Sequence, residues 1–319
     1  MPESPSTDAP MKILITGTNG LIGSDLVPFL EARGHSVIRL VRERVRRDAS
    51  TIIWDPATGE LETQLLDGFD AVVHLAGENI ADARWTPAKK RLIRDSRVNG
   101  TRLLSEALAR VSKPPRVFIA ASAIGYYGSR GAEELTEASP AGGGFLAEVT
   151  REWEAAMQPA TRRGVRLVPL RFGLVLSPDG GALWEMLLPF QFGLGGPVAG
   201  GAQFMSWISL PDAISVIDFA LRHDALRGPV NAVAPQPVTN AEFARHLARA
   251  LRRPCLLPIP AWAARFVFGE MADETVLAST RVAPKKLLAA GFQYQHPNLE
   301  GALHQLLRST VLHAQPTPA

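Results

Sequence analysis

The chain has 319 residues, 46% of them hydrophobic, and its mean hydropathy of +0.04 excludes a disordered polypeptide. Its net charge of +3, from 34 basic and 31 acidic residues, is no evidence for a nucleic-acid partner, and no uninterrupted apolar run approaches the roughly 20 residues that span a bilayer. One cysteine, Cys255, excludes an internal disulfide framework and a thiolate zinc site and fits a reducing compartment, so a cytoplasmic protein is expected, with no membrane and no metal.

Residues 1–10 hold three prolines and no apolar periodicity, and are expected to form a disordered tail without a secretory signal. Lys12–Thr16 then predicts a strand, followed by a glycine turn and a helix to about Arg33. His35–Val41 and Thr51–Trp54 predict further strands, and Ala71–Ala76 a strand that is apolar but for His74. Pro87–Arg110 reads as a long helix, Val117–Ser122 as a strand, Phe145–Arg163 as a helix and Leu167–Leu176 as a strand. After about Ser177 glycines punctuate a stretch rich in Phe and Trp. Pro229–Val233 predicts a last strand, and Thr239-Asn-Ala-Glu242 is a capping box that opens a helix to Arg252. Such alternation predicts an α/β fold, a Rossmann-type doubly wound parallel sheet with helices on both faces. The domain organisation read from this pattern is a dinucleotide-binding domain over residues 11–235, of which 177–205 contribute to a substrate lobe. A small C-terminal domain follows over 236–310, and residues 311–319 form a loose tail. His74 on its apolar strand reads as a core histidine, since one His makes no metal site.

The sharpest motif is Gly17-Thr-Asn-Gly20-Leu-Ile-Gly23, placed between the first strand and the first helix. There Gly17 permits a tight turn, Gly20 lets the backbone approach a pyrophosphate, and Gly23 lets the helix pack close to the sheet. The helix N-terminus adds free N–H groups and a partial positive charge. Gly17, Asn19, Gly20, Leu21, Ile22 and Gly23 are therefore the expected cradle of a dinucleotide. Where an acidic residue would bind the adenosine 2′-hydroxyl, the second strand ends in Val41-Arg42, with Arg39, Arg44, Arg46 and Arg47 nearby. A guanidinium grips a 2′-phosphate with two donors, so Arg42 points to NADP(H), while Arg46 and Arg47 read as a solvated basic loop.

Further motifs carry a family resemblance. His74-Leu-Ala-Gly-Glu-Asn-Ile80, Ser122-Ala-Ile-Gly-Tyr-Tyr-Gly128, Gly144-Phe-Leu-Ala-Glu-Val-Thr-Arg-Glu-Trp-Glu154, Met205-Ser-Trp-Ile208 and Gly228-Pro-Val-Asn-Ala-Val-Ala-Pro235 are found in turn along the chain. With the glycine loop they resemble an atypical subgroup of the extended short-chain dehydrogenase/reductases, of the epimerase/dehydratase type. That subgroup is known as epimerase family proteins and loosely as cell-division inhibitors. The resemblance covers Met11 to about Leu307 and implies a sheet of about seven strands and a small C-terminal domain. It adds Leu75, Ala76 and Gly77 to the expected cofactor contacts.

The resemblance also exposes a departure. Active members use Ser, Tyr and Lys, the last two spaced as YxxxK, with a further Asn. Ser122 matches the Ser. At the Tyr and Lys positions stand Leu146 and Thr150, or in the other register Phe145 and Val149; the first is preferred because Glu154 then falls one turn later. Arg97 takes the place of the Asn. Proton donation would then fall to strand-end loops. Ser122 is the first candidate to donate a hydrogen bond to a substrate oxygen, and Tyr126 or Tyr127 to supply a proton, although both tyrosines read first as pocket wall. Glu78 is a further candidate acid or an ordinary loop carboxylate, and Arg97 binds either an anionic substrate or the cofactor. Two functions are compatible with this pattern: an NADP(H)-dependent oxidoreductase or epimerase-like enzyme acting on a small molecule, and a catalytically silent NADP(H)-binding sensor or interaction protein.

Overall fold

The computed structural model describes residues 9–42 and 50–313. The loop carrying Arg44, Arg46 and Arg47 and most of the two terminal segments lie outside these residues. From the N-terminus the elements are β1 (Lys12–Thr16), α1 (Gly23–Ala32), β2 (Ser36–Val41), β3 (Thr51–Asp55), β4 (Glu60–Leu61) and β5 (Ala71–His74). They continue with α2 (Pro87–Leu108), β6 (Val117–Ala123), β7 (Glu134–Leu135), α3 (Phe145–Ala156), β8 (Arg166–Phe172), β9 (Leu174–Leu176) and α4 (Gly181–Gln191). Then follow β10 (Phe204–Met205), β11 (Trp207–Ser209), α5 (Leu210–Arg222), β12 (Val230–Ala232), β13 (Val238–Thr239) and α6 (Asn240–Ala250). The chain ends through α7 (Ala261–Phe268), α8 (Met271–Glu274), β14 (Arg281–Val282), α9 (Lys285–Ala289) and α10 (Leu299–His313).

The main sheet has eight strands in the order β12-β8-β6-β5-β1-β2-β3-β4. Seven are mutually parallel, and β4 pairs antiparallel with β3. Successive strand residues face opposite layers: Ile13 and Ile15 pack with α1 and α5, while Leu14 joins Leu104 and Trp153 of α2 and α3. This two-sided burial explains why the strands read as continuous apolar runs. The doubly wound sheet is thus the expected one, with β4 as an addition. It forms because Asp55-Pro56-Ala-Thr-Gly59 closes a hairpin, in which the Gly59 N–H donates to the Asp55 carbonyl.

Two boundaries differ from the sequence reading. The strand predicted over Leu167–Leu176 breaks at Gly173. A side chain there would collide with the Ser206 carbonyl at 2.5 Å, and the chain leaves β12 to pair β9 with β11. The helix predicted to Arg163 ends at Ala156 and continues as a 3-10 turn over Gln158–Arg163, opened by Pro159. The capping box at Thr239 and Glu242 forms as expected. Beyond the sheet, α4, α6 and α10 close around Leu183, Leu187, Phe190, Trp207, Phe243 and Leu303. That cluster supports a lobe standing over the carboxyl ends of the strands.

Candidate functional site

Sheet order reverses between β1 and β5, and in doubly wound sheets ligands bind in the crevice at the carboxyl ends of such neighbours. The glycine loop leaves β1 at this crevice. Gly17 has φ +71°, and a Cβ there would lie 2.7 Å from the Leu75 carbonyl carbon and from the Ala76 nitrogen. The loop is therefore laid directly on the segment after β5. A Cβ on Gly23 would fall on the Gly17 carbonyl oxygen, so glycine is needed for α1 to begin this close to the strand. Gly20 is different: a Cβ there meets only the Gly17 oxygen, at 3.3 Å, and both Asn19 and Gly20 are exposed. Among the described residues no side chain caps α1. Backbone donors at a helix start without a described side-chain cap, beside an exposed glycine, fit a dinucleotide pyrophosphate.

His74 holds the two strand ends in place. Its Nδ1 lies 2.7 Å from Thr16 Oγ1 and its Nε2 2.9 Å from Thr101 Oγ1. Thr16 Oγ1 already accepts the N–H groups of Leu75 and Ala76 at 3.1 and 3.2 Å, so its own proton goes to Nδ1 and the imidazole carries its hydrogen on Nε2. Complete burial pushes its pKa down to about 4. His74 is the core histidine expected, its burial favours the neutral form, and through Thr16 it fixes the Leu75–Ala76 backbone against the glycine loop. Arg42 is exposed at the carboxyl end of β2, next to β1.

On the other side of the crevice Arg97 of α2 lies against Gly77, its guanidinium carbon 3.5 Å from where a Cβ would stand. It donates to the Ile93 carbonyl at 3.1 Å and sits over Trp153, 5.2 Å from the ring centre. Burial lowers its pKa to about 10, against the opposing pull of Glu78. Glu78 itself accepts from Lys89 Nζ at 2.8 Å, and the same ammonium is paired with Asp82. The loop after β5 thus brings Glu78 to an ion pair rather than to an apolar pocket.

Ser122, at the end of β6, donates to Glu154 Oε1 at 2.6 Å. Glu154 grips Arg171 with both oxygens, Nε to Oε1 at 2.7 Å and Nη2 to Oε2 at 2.8 Å. Arg171 also donates to the Tyr127 hydroxyl at 3.0 Å, which donates to Asn231 Oδ1 at 2.7 Å. Tyr127 is completely buried, and burial raises its pKa, against the lowering effect of Arg171. Tyr126 is half-buried and covers the Arg171 guanidinium, whose carbon lies 3.5 Å from its ring centre. Of the two tyrosines, Tyr126 is the one with an open edge. Arg171 escaped the sequence reading. The available signal was an unpaired cation inside the apolar run Leu167–Leu176, which demands a buried partner.

Leu146, Thr150 and Glu154 share one face of α3, packed on the end of β6. A Cβ on Gly125 would lie 3.3 Å from Leu146 Cβ and 3.8 Å from Thr150 Oγ1. Thr150 Oγ1 donates to the Leu146 carbonyl at 2.7 Å. Neither side chain offers an ionisable group here. The N-terminus of α3 is capped from the lobe by Glu274, which accepts the N–H groups of Phe145 and Leu146 at 3.2 and 3.1 Å.

Residues 13–232 match the model of the NAD dependent epimerase/dehydratase family. The chain belongs to this family. Residues 259–306 match a domain of unknown function, DUF1731. Epimerase family protein Mb2239 of Mycobacterium bovis is 44% identical over 291 residues, covering 91% of this chain and 96% of that protein. The crystal structure of human epimerase family protein SDR39U1 with NADPH superimposes with a TM-score of 0.85 at 35% identity, covering 93% of this chain and 99% of that one. A nucleoside-diphosphate sugar epimerase from Corynebacterium glutamicum gives a TM-score of 0.78 at 34% identity, covering 98% of this chain and 63% of that one. The resemblance read from the motifs is therefore a true membership, and the family member has an eight-stranded, mostly parallel sheet. Among its described residues no helix is long and apolar enough to cross a membrane.

Proposed function

We propose that this epimerase-family protein binds NADP(H) and reduces or oxidises a small carbonyl or alcohol without a Tyr–Lys pair. The observation that carries the cofactor is the glycine loop seated on Leu75–Ala76, with Gly20 exposed and no side-chain cap on α1 among the described residues. The likeness to a human protein crystallised with NADPH supports it. Gly17, Asn19, Gly20, Leu21, Ile22 and Gly23 hold the pyrophosphate, Leu75, Ala76 and Gly77 border the nucleotide, and Arg42 takes the 2′-phosphate. When bound, the cofactor supplies hydride transfer. Arg97 beside Gly77 orients either the cofactor or a substrate oxygen. Tyr126 is the proton donor, its ring held on the Arg171 guanidinium; Ser122, engaged by Glu154, and the sealed Tyr127 hold the pocket wall in which Tyr126 stands. Glu78, paired with Lys89, shapes the loop after β5.

A second reading, a silent NADP(H)-binding protein, is favoured by Leu146 and Thr150, which offer neither phenol nor ammonium, and by the engagement of Ser122. Single-turnover oxidation of bound NADPH against a panel of carbonyl compounds separates the two. The enzymatic reading expects oxidation that Tyr126→Phe slows by a factor of roughly 10² to 10⁴. Retention of NADPH with no carbonyl oxidising it would establish the silent reading. Loss of that factor in Thr150→Ala but not in Tyr126→Phe would overturn the role of Tyr126.

A further inference from the structure

We propose that Arg97 is an oxyanion site, its guanidinium binding a phosphate or carboxylate group of a ligand in the crevice, separately from Arg42; one of the two sources of that group rests on the NADP(H) reading above. Arg97 turns back along α2, and its Nη1 donates to the Ile93 carbonyl at 3.1 Å. Its guanidinium carbon lies 5.2 Å from the Trp153 ring centre and 3.5 Å from where a Cβ of Gly77 would stand. Gly77 follows the Leu75–Ala76 segment that carries the glycine loop, and it is exposed. A guanidinium has more N–H groups than the one bond to Ile93 uses. Among the described residues the buried side-chain nitrogens and oxygens without a partner belong to Asp218, His246 and His296. The other N–H groups of Arg97 are therefore not sealed in the protein but open to solvent.

A missing counter-charge sets this cation apart from its neighbours. Lys89 is paired with Glu78 and Asp82, Lys90 with Glu270, Arg94 with Glu152, and Arg171 with Glu154. Among the described residues no carboxylate pairs with Arg97. Burial lowers its pKa to about 10 even against the pull of Glu78, whose Oε1 is held by Lys89 at 2.8 Å. A half-buried cation without a partner is costly to keep. Stacking on Trp153 and the bond to Ile93 nevertheless hold the group in one orientation. An oxyanion compensates it with two parallel charge-assisted bonds, whereas a neutral carbonyl oxygen leaves the charge in place.

The strand order leaves two sources for the oxyanion. β5 lies between β1 and β6, with His74 opposite Thr16 on one side and Ala120 on the other. The segment from Leu75 to Gly77 therefore separates the glycine loop, which leaves β1, from Ser122 near the end of β6. On the glycine-loop side the source is the pyrophosphate of the dinucleotide, which Arg97 would hold from the flank opposite α1. On the Ser122 side it is a carboxylate of the substrate, beside the carbonyl that is reduced. The ligand chemistry is the same in both cases, and binding makes or breaks no covalent bond.

Calorimetric titrations of wild type, Arg97→Met and Arg97→Lys test the site and separate its sources. If the pyrophosphate fills it, Arg97→Met weakens NADPH and NADH by one common factor of roughly 10 to 100 and leaves 2′-AMP, which has no pyrophosphate, unaffected. If a carboxylate fills it, both cofactors bind as before, and pyruvate binds NADP+-saturated wild type at least about tenfold more tightly than Arg97→Met. In either case Arg97→Lys, which keeps the charge, loses less than Arg97→Met. Unchanged binding of the cofactors and of pyruvate in Arg97→Met, or equal losses in the two variants, would overturn the proposal. Wild-type protein gives a reading free of any folding defect. Phenylglyoxal modifies accessible guanidinium groups, and the peptide holding Arg97 should be protected by NADPH or by NADP+ with pyruvate. Labelling indifferent to both would likewise overturn the proposal. If wild type binds neither NADPH nor NADH, the cofactor reading falls and pyruvate titration of the unloaded protein decides the site. Binding that Arg97→Met loses then upholds it, and the absence of such binding overturns it.

Discussion

On the side of the cleft proposed for the cofactor the surface is backbone: Gly17, Gly20 and Gly23, the start of α1, and the Leu75–Ala76 segment that Thr16 and His74 hold in place. On the side proposed for the substrate it is buried charge, with Glu154 and Arg171 linking Ser122 to Tyr127 and Asn231. The two sides accordingly fail differently. The backbone side tolerates little added volume, because Gly17 stands at φ +71° and a Cβ on Gly17 or Gly23 would collide with neighbouring backbone. A buried ion pair is held by mutual compensation, and removing one partner leaves the other desolvated and unpaired.

The largest expected effect follows from that asymmetry. Glu154→Leu should lower unfolding free energy by about 3–5 kcal/mol, because Arg171 is 2% exposed and would lose both of its charge-assisted bonds. The double variant Glu154→Leu/Arg171→Met should recover much of the loss, as urea denaturation would reveal. An unaltered midpoint in the single variant would mean that the pair contributes nothing to the fold.

Next in size is a pH effect from the cofactor side. His74 titrates near 4 in the folded protein against 6.5 for an unperturbed histidine. The unfolded chain binds the proton first, so the contribution of His74 is complete above about pH 6.5 and is lost as pH falls toward 4, for a total of roughly 3 kcal/mol. Urea midpoints of wild type and His74→Phe should therefore converge on acidification over that window. Parallel curves would contradict the neutral assignment.

Gly20→Val addresses the pyrophosphate site without touching the core. Its side chain would rise into the space over the loop, so NADPH affinity should fall by about 100-fold or more while the thermal midpoint stays within a few degrees. The smallest effect belongs to Arg42→Ala. An exposed charge-assisted contact to a 2′-phosphate is worth about tenfold in affinity, and the loss should appear for NADPH and not for NADH.

The same contrast decides what was legible in the sequence. The glycine turn between β1 and α1, the core placement of His74 and the Thr239–Glu242 capping box each show in local sequence, as an apolar run or a fixed spacing of residue types. They were read correctly. Membership of the family followed from motif order. The Glu154–Arg171 link was not legible, since its partners come from α3 and β8 and only the topology sets them facing each other. The break at Gly173 is of the same kind: what forbids a side chain there is the carbonyl of Ser206, far along the chain. The edge strand β4 was missed for a different reason, its two residues being too few to show an alternation.

The central claim is that the backbone-built side of the cleft holds a phosphorylated nicotinamide dinucleotide. Titrating the purified protein with NADPH and with NADH under identical salt and pH tests it most directly. The account predicts saturable binding of NADPH at one site per chain, at least about tenfold tighter than NADH. Equal affinities for the two cofactors, or no binding of either, would contradict it.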